Sequence, residues 1–463
     1  MIVKTSILPN KQIFAKKLDT VHELDYKAIC VFVSTGFFMG EDTYYKDEVC
    51  LRPGHKYTLN EKGEYIQKTP YFKWHYSPRQ ISFKQALDEY VQLLSKITKE
   101  QVGDNPVILA LSGGLDSRSQ ALVLKDLDNK VHSYSYAFSG GYPEHKISKR
   151  IAEVCGFSYE GFQINKGYLW DCIDELAEIV GCYSEFTHPR QMAILKDLKQ
   201  MKGVFSLGHW GDVLFDRGVP EGTLKEEIVP ILFKKMIKPK GFQLAEQLWE
   251  LWQLNGDFKT YLTNRIKTDL DVIEIDNISA KVRAYKTSQW AHRWTTTNLS
   301  VFQAAHPVTL PFYDDRMCKF ICSIPEDYLA DRRLQIAHLE QNNELANITW
   351  HANKPYNLTN YHKNKTPFNI PHRMVSKLKR IANALIGKPY IQRNWELQFI
   401  GSENEQSLES HIYNTDFNTF IPKTIVQETY KNFKTTDAIN YAHPVSILLT
   451  LSLWHQKKSK TDI

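Results

Sequence analysis

Short apolar runs in the first half of the chain are each followed by a turn or a helical period. The run at residues 107–111 leads at once into Ser112-Gly113-Gly114-Leu115-Asp116-Ser117, and residues 118–125 then have the composition of a helix. Similar runs lie at residues 131–138 and 204–207. Runs of this length, bounded by glycines and hydroxyls, predict buried strands.

Helical periods fill the intervals between these runs. From Ser82 onward apolar residues recur at helical spacing, and Ser82 with Gln85 predicts a capping box. A further helix is expected from about Pro143 to Cys155, ending at Gly156. Strands that alternate with helices predict an α/β fold with a doubly wound parallel sheet, whose ligands lie beyond the carboxyl ends of the strands.

The two ends of the chain have different patterns. Residues 1–80 contain aromatic and β-branched runs, such as residues 28–33, broken by glycines and prolines, and this predicts strands and turns. Residues 81–463 are expected to form the ligand-binding domain with added helices. Within it, residues 306–314 are expected to be loop or extended, and residues 444–454 a buried terminal helix.

The composition is typical of a soluble globular protein. The chain has 463 residues, of which 42% are apolar and 24% charged, and its net charge is +6. This length indicates one large domain and a smaller one. The mild positive charge suits an anionic ligand as well as nucleic acid, so it does not decide between them.

The spacing of the cysteines and the lengths of the apolar runs narrow the class of protein further. The seven cysteines are scattered and include no C-x-x-C pair, which favours neither a disulfide framework nor a zinc site. No apolar stretch reaches the roughly 18 residues that span a bilayer, and the N-terminus lacks a signal-peptide pattern. We therefore expect a cytoplasmic enzyme without a transmembrane segment.

The glycine-rich stretch after residue 111 has the chemistry of a phosphate-binding loop. Glycines let backbone N–H groups approach phosphate oxygens, and the following helix N-terminus adds partial positive charge. Asp116 would repel a bare phosphate, so a bridging Mg²⁺ is expected there. The Walker pattern does not fit, because no lysine directly follows Gly114. The predicted ATP contacts are Leu111, Ser112, Gly113, Gly114, Asp116 and Ser117.

Two other loops follow predicted strands at the same edge of the sheet. Gly208-His209-Trp210-Gly211-Asp212 follows the third run. Here we predict Asp212 as a second Mg²⁺ ligand, because one carboxylate rarely suffices, with Gly208 and Gly211 beside the phosphates. Ser139 follows the second run, and it is either a contact to the nucleoside half of ATP or part of a plain loop.

These motifs resemble a known family. Ser-Gly-Gly-Leu-Asp-Ser is similar to the PP-loop of ATP pyrophosphatases. Together with residues 208–212, Leu310-Pro311-Phe312-Tyr313-Asp314 and residues 350–356, it resembles the synthetase domain of asparagine synthetases over roughly residues 80–455. The same domain is used by β-lactam synthetases and lasso-peptide cyclases. The resemblance implies a PP-loop (HUP-like) α/β fold.

Residues 1–75 resemble only the closing part of the glutaminase domain of that family, through Gly36 to Gly40 and Leu51-Arg52-Pro53-Gly54-His55. The glutaminase nucleophile of the family is an N-terminal cysteine left after methionine removal. Residue 2 here is Ile2. The resemblance therefore implies a truncated, non-catalytic segment over residues 1–80, without glutamine hydrolysis.

The resemblance also implies an activity. ATP and a substrate carboxylate form an acyl-adenylate, pyrophosphate leaves, and ammonia or an amine attacks the acyl carbon, with Asp116 and Asp212 holding Mg²⁺. Lys354 matches the catalytic lysine of the family. His209 stands where ammonia-using members often have glutamate, and it is either the base for the incoming amine or a residue that hydrogen-bonds a neighbouring loop.

The resemblance leaves the substrate open. Because the glutamate is replaced, the expected acid is one other than, or besides, aspartate, and a saccharide or peptide carboxylate in polysaccharide or natural-product biosynthesis is plausible. The nitrogen comes from ammonia, from a substrate amine or from a separate glutaminase. No nucleic-acid partner is expected. The alternatives are a PP-loop enzyme that modifies transfer RNA and a binding protein that has lost catalysis.

A basic stretch over residues 362–393 is not explained by this family. Within it, residues 374–385 have the spacing of a basic amphipathic helix. The functional interpretation is contact with an anionic substrate or a lipid surface. The alternative is a solvated helix face or an insert.

Overall fold

The structure is a computed structural model that describes residues 1–18, 20–141, 144–351, 354–387, 391 and 394–461. The predicted helix start at Pro143 lies outside the described residues. So do Ala352 and Asn353 of the motif at residues 350–356, and residues 388–390, 392 and 393 of the basic stretch.

The N-terminal segment forms a mixed five-stranded sheet and one helix, α1 (Tyr26–Thr35). The strands are β1 (Ile2–Lys4), β2 (Phe14–Lys17), β3 (Glu48–Cys50), β4 (His55–Leu59) and β5 (Glu64–Pro70). Their order in the sheet is β1-β4-β5-β2-β3, and β2 and β5 are the pair of described strands that run parallel.

The prediction of strands over residues 28–33 is wrong, because this run lies within α1. Every residue from Ala28 to Thr35 is buried. A helix that is buried on all sides has a continuous apolar run instead of a helical period, so its pattern is the same as that of a buried strand. The helix packs against α9 (Pro239–Leu251) and belongs to the large core of the protein. The domain boundary near residue 80 stays a prediction.

The central sheet has five parallel strands in the order β10-β9-β6-β7-β8. They are β6 (Val107–Ala110), β7 (Val131–Phe138), β8 (Ser158–Ile164), β9 (Val204–Ser206) and β10 (Val308–Thr309). The chain proceeds from β6 to one side through β7 and β8, and it returns to the other side with β9. This confirms the predicted doubly wound α/β fold, and it places a crevice beyond the carboxyl end of β6.

Three helices belong to the first half of this sheet: α2 (Phe83–Val102), α3 (Leu115–Lys125) and α4 (Glu144–Cys155). The Ser82 hydroxyl accepts from the Gln85 N–H at 3.1 Å, as the capping box requires. The reciprocal bond is replaced, because the Gln85 side chain donates to Glu89 at 3.2 Å. Gly156 ends α4 with φ +74°, as predicted.

The remainder of the chain is mostly helical, as expected, and covers the sheet. Its first helices are α5 (Ile173–Ile179), α6 (Leu195–Gln200), α7 (Gly211–Leu214), α8 (Ile228–Met236), α9, α10 (Phe258–Asp271), α11 (Ile278–Lys286), α12 (Thr296–Gln303), α13 (Asp315–Cys322) and α14 (Glu326–Leu329). They are followed by α15 (Arg333–Glu340), α16 (Asn343–Asn347), α17 (Ile370–Leu385), α18 (Ser402–Ile412), α19 (Phe417–Phe420), α20 (Lys423–Thr435) and α21 (Ala438–Thr461).

Two details of this half position the site. A π-helix, Thr287–Thr295, joins α11 to α12. A two-stranded antiparallel hairpin, β11 (Thr349–His351) and β12 (Lys354–Asn357), follows α16.

The terminal helix α21 contributes buried residues such as Val445 and Leu448 to the large core, which agrees with the prediction. Within the described parts of the chain, every helix is too short or too polar to cross a bilayer.

Candidate active site

The loop between β6 and α3 is closed by its own serines. The Ser112 N–H donates to Ser117 Oγ at 3.1 Å, and the Ser117 hydroxyl lies 3.2 Å from the Ser112 carbonyl oxygen. The Gly114 N–H donates to Ser112 Oγ at 3.1 Å. Gly114 is the N-cap of α3 and offers no side-chain cap. The first-turn N–H groups of α3 therefore remain available to an anion.

Asp116 is held by two residues that the sequence analysis did not identify. Its Oδ1 accepts hydrogen bonds from Arg332 and, at 2.8 Å, from the Gln335 side chain. Burial raises the pKa of Asp116 to about 6; Arg332 opposes this shift, and the charge of Asp212 adds to it. Asp331 and Arg332 have φ of 57° and 63°. This left-handed backbone is unusual for two consecutive residues with side chains, and strain of this kind is often found at functional sites.

Gly208 and Gly211, which follow β9, make room for Asp116. A Cβ at Gly208 would lie 2.9 Å from Asp116 Cβ, and a Cβ at Gly211 would lie 2.3 Å from Asp116 Oδ1. The end of β9 thus packs directly on the start of α3. Trp210 between the glycines has φ 70°, and its indole N–H donates to Thr287 Oγ1 at 3.2 Å.

The two predicted metal ligands meet at this contact. Asp212 is exposed in the first turn of α7, and it is close enough to Asp116 to raise the pKa of that carboxyl. No cluster of three or more His, Cys, Asp or Glu side chains suited to a metal occurs within the described residues. Mg²⁺ is commonly held by one or two carboxylates together with substrate phosphates. Asp116 and Asp212 beside the phosphate loop fit that arrangement.

Lys354 lies at the start of β12. Its Nζ is 3.5 Å from the centroid of the Trp350 ring. Burial and the charge of Arg332 lower the pKa of Lys354, while Asp216 opposes the shift. The lysine is therefore half-buried and close to Arg332.

A buried arginine joins the hairpin to the phosphate loop. Arg118 Nη2 donates to the carbonyl oxygens of Gly113 at 3.1 Å and Thr349 at 2.8 Å. Its Nη1 donates to the carbonyl oxygens of Leu345 and Ile348, each at 3.2 Å. Burial lowers the pKa of Arg118 to about 10, which leaves it charged at neutral pH. The segment that carries Lys354 is thus fixed to the loop through one guanidinium.

His209 follows Gly208 and is half-buried, with its ring edge-on to Phe302 at a centroid distance of 5.6 Å. Burial lowers its pKa to about 4, with Asp212 opposing. The imidazole is therefore neutral at pH 7. Nδ1 is buried and has no hydrogen-bond partner in the described part of the structure, so the predicted bond to a neighbouring loop is not formed by this atom.

A cleft of about 730 Å³ extends from the phosphate loop. Leu111 and Ser112 line its loop end, and Tyr136 and Phe138 line the side formed by β7. Ser139 is exposed in the turn just beyond Phe138. Two residues of the N-terminal segment, Thr35 and Phe37, also line the cleft. The predicted non-catalytic segment therefore forms part of its wall.

The lining of the cleft combines aromatic rings with cations, and the sequence analysis identified none of them. These lining residues include Trp290, Trp294, Trp395, Arg190, Lys235 and Lys238. The Arg190 guanidinium lies 5.2 Å from the Phe138 ring and 5.7 Å from the Trp395 ring. Trp290 and Trp294 come from the π-helix, an irregularity often found at functional sites.

A buried carboxylate, Glu185, orients His188, which also lines the cleft. Glu185 Oε1 contacts His188 Nδ1, and Glu185 Oε2 accepts from the Ser446 hydroxyl at 2.6 Å and from the Thr187 N–H at 2.9 Å. Burial favours the neutral carboxyl, but His188 and these hydrogen bonds outweigh it and hold the pKa of Glu185 well below its usual range.

The structure therefore assembles the predicted residues from distant parts of the chain. Ser112, Asp116, Gly208, Gly211 and Asp212 lie together at one edge of the sheet, and Lys354 is fixed nearby through Arg118. Arg332, Gln335 and the aromatic and cationic residues that line the cleft were missed. No local motif marks these residues, because their roles depend on contacts between distant parts of the chain, such as the contact of Asp116 with Arg332 across 216 positions.

A search of curated proteins found no match. Among solved structures, the chain is similar to the NMN synthetase from Francisella tularensis at 12% identity and a TM-score of 0.24, over 46% of this chain and 94% of that one. The asparagine synthase family matches residues 89–456. This match spans most of the chain and confirms the resemblance inferred from the motifs: the protein belongs to the asparagine synthase family.

Proposed function

We propose that the protein is an amide ligase that uses ATP to adenylate a substrate carboxylate and releases pyrophosphate and then AMP. The observation that carries this proposal is the meeting of Asp116 and Asp212 at the N-terminus of α3, with Lys354 fixed to the same loop by Arg118. This arrangement combines an anion site, two metal-binding carboxylates and a cation around one crevice.

In the first step a carboxylate oxygen attacks the α-phosphorus of ATP, and the bond to the β-phosphate oxygen breaks. The N–H groups of the Ser112–Ser117 loop and the N-terminus of α3 stabilise the departing pyrophosphate. Asp116 and Asp212 would hold Mg²⁺, which supplies positive charge against the leaving group. Lys354 stabilises the charge that builds on the α-phosphate.

In the second step an amine nitrogen attacks the acyl carbon, loses a proton, and AMP leaves. Lys354 stabilises the tetrahedral adduct in the same way. His209 is neutral at pH 7, so it is able to accept the proton, although its low pKa makes it a weak base. The nitrogen comes from ammonia, from a substrate amine or from a separate glutaminase.

The aromatic and cationic lining of the cleft supports an acid that is larger than aspartate. Arg190, Lys235 and Lys238 attract an anion, and the indole rings of Trp290 and Trp294 offer flat apolar surfaces. The Arg190 guanidinium lies over the Phe138 and Trp395 rings, and a guanidinium binds a carboxylate with defined geometry. A sugar acid or a peptide acid fits this combination, as expected for polysaccharide or natural-product biosynthesis.

Carboxylate-dependent exchange of labelled pyrophosphate into ATP tests the proposal. The panel contains aspartate, uronic-acid sugars and peptide acids, with Asp116→Asn as the inactive variant and Asp128→Asn, at an exposed position, as the matched control. We expect exchange with one class of acid, reduced about a hundredfold or more in Asp116→Asn and unchanged in the control. Formation of ADP would overturn the proposal, and exchange that requires transfer RNA would favour the alternative enzyme class.

A further inference from the structure

The helix α17 is amphipathic, and its apolar face is exposed. None of its 16 residues is buried. Five aliphatic side chains recur at helical spacing along one face, and their exposed fractions are 43% at Ile370, 61% at Met374, 64% at Leu378, 49% at Ile381 and 82% at Leu385. A contiguous apolar stripe of this kind on a soluble protein marks an interaction surface.

The surface of α17 beside this stripe is basic. Arg373, Lys377, Lys379 and Arg380 are all exposed. The sequence from residue 345 to residue 395 contains no Asp or Glu, so these cations have no acidic neighbour in the same segment. A helix with aliphatic residues on one face and Lys and Arg beside them has the pattern of an interfacial membrane helix.

We propose that α17 docks the protein on an anionic phospholipid bilayer. The aliphatic stripe lies at the boundary between head groups and acyl chains, and the arginines and lysines contact the lipid phosphates. The helix lies in the plane of the surface and does not cross it.

Charge and side-chain chemistry favour this occupant over others. A second copy of α17 would bring two sets of uncompensated cations together, which is unfavourable. Single-stranded nucleic acid is usually bound by stacking on aromatic rings, and α17 contains no Phe, Tyr or Trp. A bilayer with anionic head groups satisfies the cations and also removes the aliphatic stripe from water.

The position of α17 connects docking with the candidate active site. Arg373, Lys377 and Arg380 line a groove of about 530 Å³, and Lys354 lines the same groove. If the proposed ligase function is correct, docking brings the lysine side of the active site close to the bilayer surface. An acid or an amine carried on a membrane-bound molecule then reaches the site from that side.

Vesicle sedimentation with the full-length protein, without ATP, tests the docking separately from catalysis. The probes are vesicles of phosphatidylcholine alone and of phosphatidylcholine mixed with phosphatidylglycerol. We expect binding to the mixed vesicles that weakens as salt increases. The double substitution Leu378→Ser/Ile381→Ser is expected to weaken binding about tenfold or more. Lys377→Gln/Lys379→Gln is expected to weaken it and to reduce its dependence on salt.

The matched control is Val272→Ser/Ile439→Ser, which removes two aliphatic side chains that are 68% and 63% exposed outside α17. This control is expected to bind vesicles as the unsubstituted protein does, and the thermal unfolding of all variants is expected to be unchanged. The proposal is overturned if mixed vesicles do not bind the protein at low salt. It is also overturned if the α17 variant and the control bind equally well, or if vesicles of phosphatidylcholine alone bind as tightly. Pyrophosphate exchange with soluble acids reports on the ligase function independently.

Discussion

Arg118 Nη2 lies 2.8 Å from the carbonyl oxygen of Thr349, a residue 231 positions further along the chain. The same nitrogen donates to the Gly113 carbonyl oxygen inside the phosphate loop. One buried side chain therefore holds together the loop that would bind the phosphates and the hairpin that carries Lys354. We regard Arg118 as a positioning residue, because it acts on the site through the backbone of both segments.

Arg118→Lys is expected to destabilise the protein and to loosen the hairpin. A lysine has one charged nitrogen and cannot satisfy four carbonyl oxygens from two directions, so we expect the free energy of unfolding to decrease by about 3 kcal/mol. Urea unfolding measures this decrease. The control Arg150→Lys, at an exposed ion pair with Glu153, is expected to change it by less than about 0.5 kcal/mol. Equal stability of both variants would contradict the proposed tether.

Gly211→Ala is expected to displace the Asp116 carboxylate. The new methyl group would lie 2.3 Å from Asp116 Oδ1 and 2.7 Å from its Cγ, so Asp116 has to leave Arg332. We expect pyrophosphate exchange to decrease at least about tenfold, with a loss of about 1–3 kcal/mol in stability. In Gly161→Ala the nearest atom would be 3.5 Å away, and both quantities should be nearly unchanged. A fully active Gly211→Ala variant would show that Asp116 is not needed in its present position.

Lys354→Met is expected to slow pyrophosphate exchange about a hundredfold while ATP still binds, because the phosphate loop is unchanged. Burial lowers the pKa of Lys354, so activity is lost on the alkaline side before an ordinary lysine would titrate at about 10.4. Lys354→Arg, which stays protonated, is expected to move that alkaline limit upward. Lys166→Met, at an exposed loop position, is the control. If the alkaline limit is the same in Lys354→Arg, another group sets it.

His338 is expected to make stability depend on pH. Burial alone lowers its pKa to about 4, below the value of about 6.5 in the unfolded chain. Its contribution is therefore fully present above about pH 6.5 and is lost as the pH falls toward 4, by up to about 3 kcal/mol. The comparison with His338→Gln by urea unfolding at about pH 7 and about pH 5 isolates this residue, because the other titrating groups are common to both proteins. An unchanged pH dependence in the variant would contradict the assignment.

The candidate site was partly predictable from the sequence. The loop residues from Ser112 to Ser117 and the motif from Gly208 to Asp212 could be identified because each motif is contiguous and follows an apolar run. The sequence predicts Gly208 and Gly211 beside the phosphates, and the structure adds that both glycines make room for the close approach of Asp116. Arg332 could not be predicted, because it contacts Asp116 across 216 positions and no local pattern marks it.

The sequence by itself determined three of the five strands of the parallel sheet, namely β6, β7 and β9, together with the glycine-rich loop after β6 and the amphipathic character of α17, because period, turn residues and glycine content are local properties. The tertiary structure alone decided that residues 28–33 form a helix, since complete burial removes the amphipathic period by which a helix is recognised. It also decided which cations and rings share a cleft, and that Arg118 joins two segments. Such relationships depend on how packed elements bring distant residues together, which no window along the chain contains.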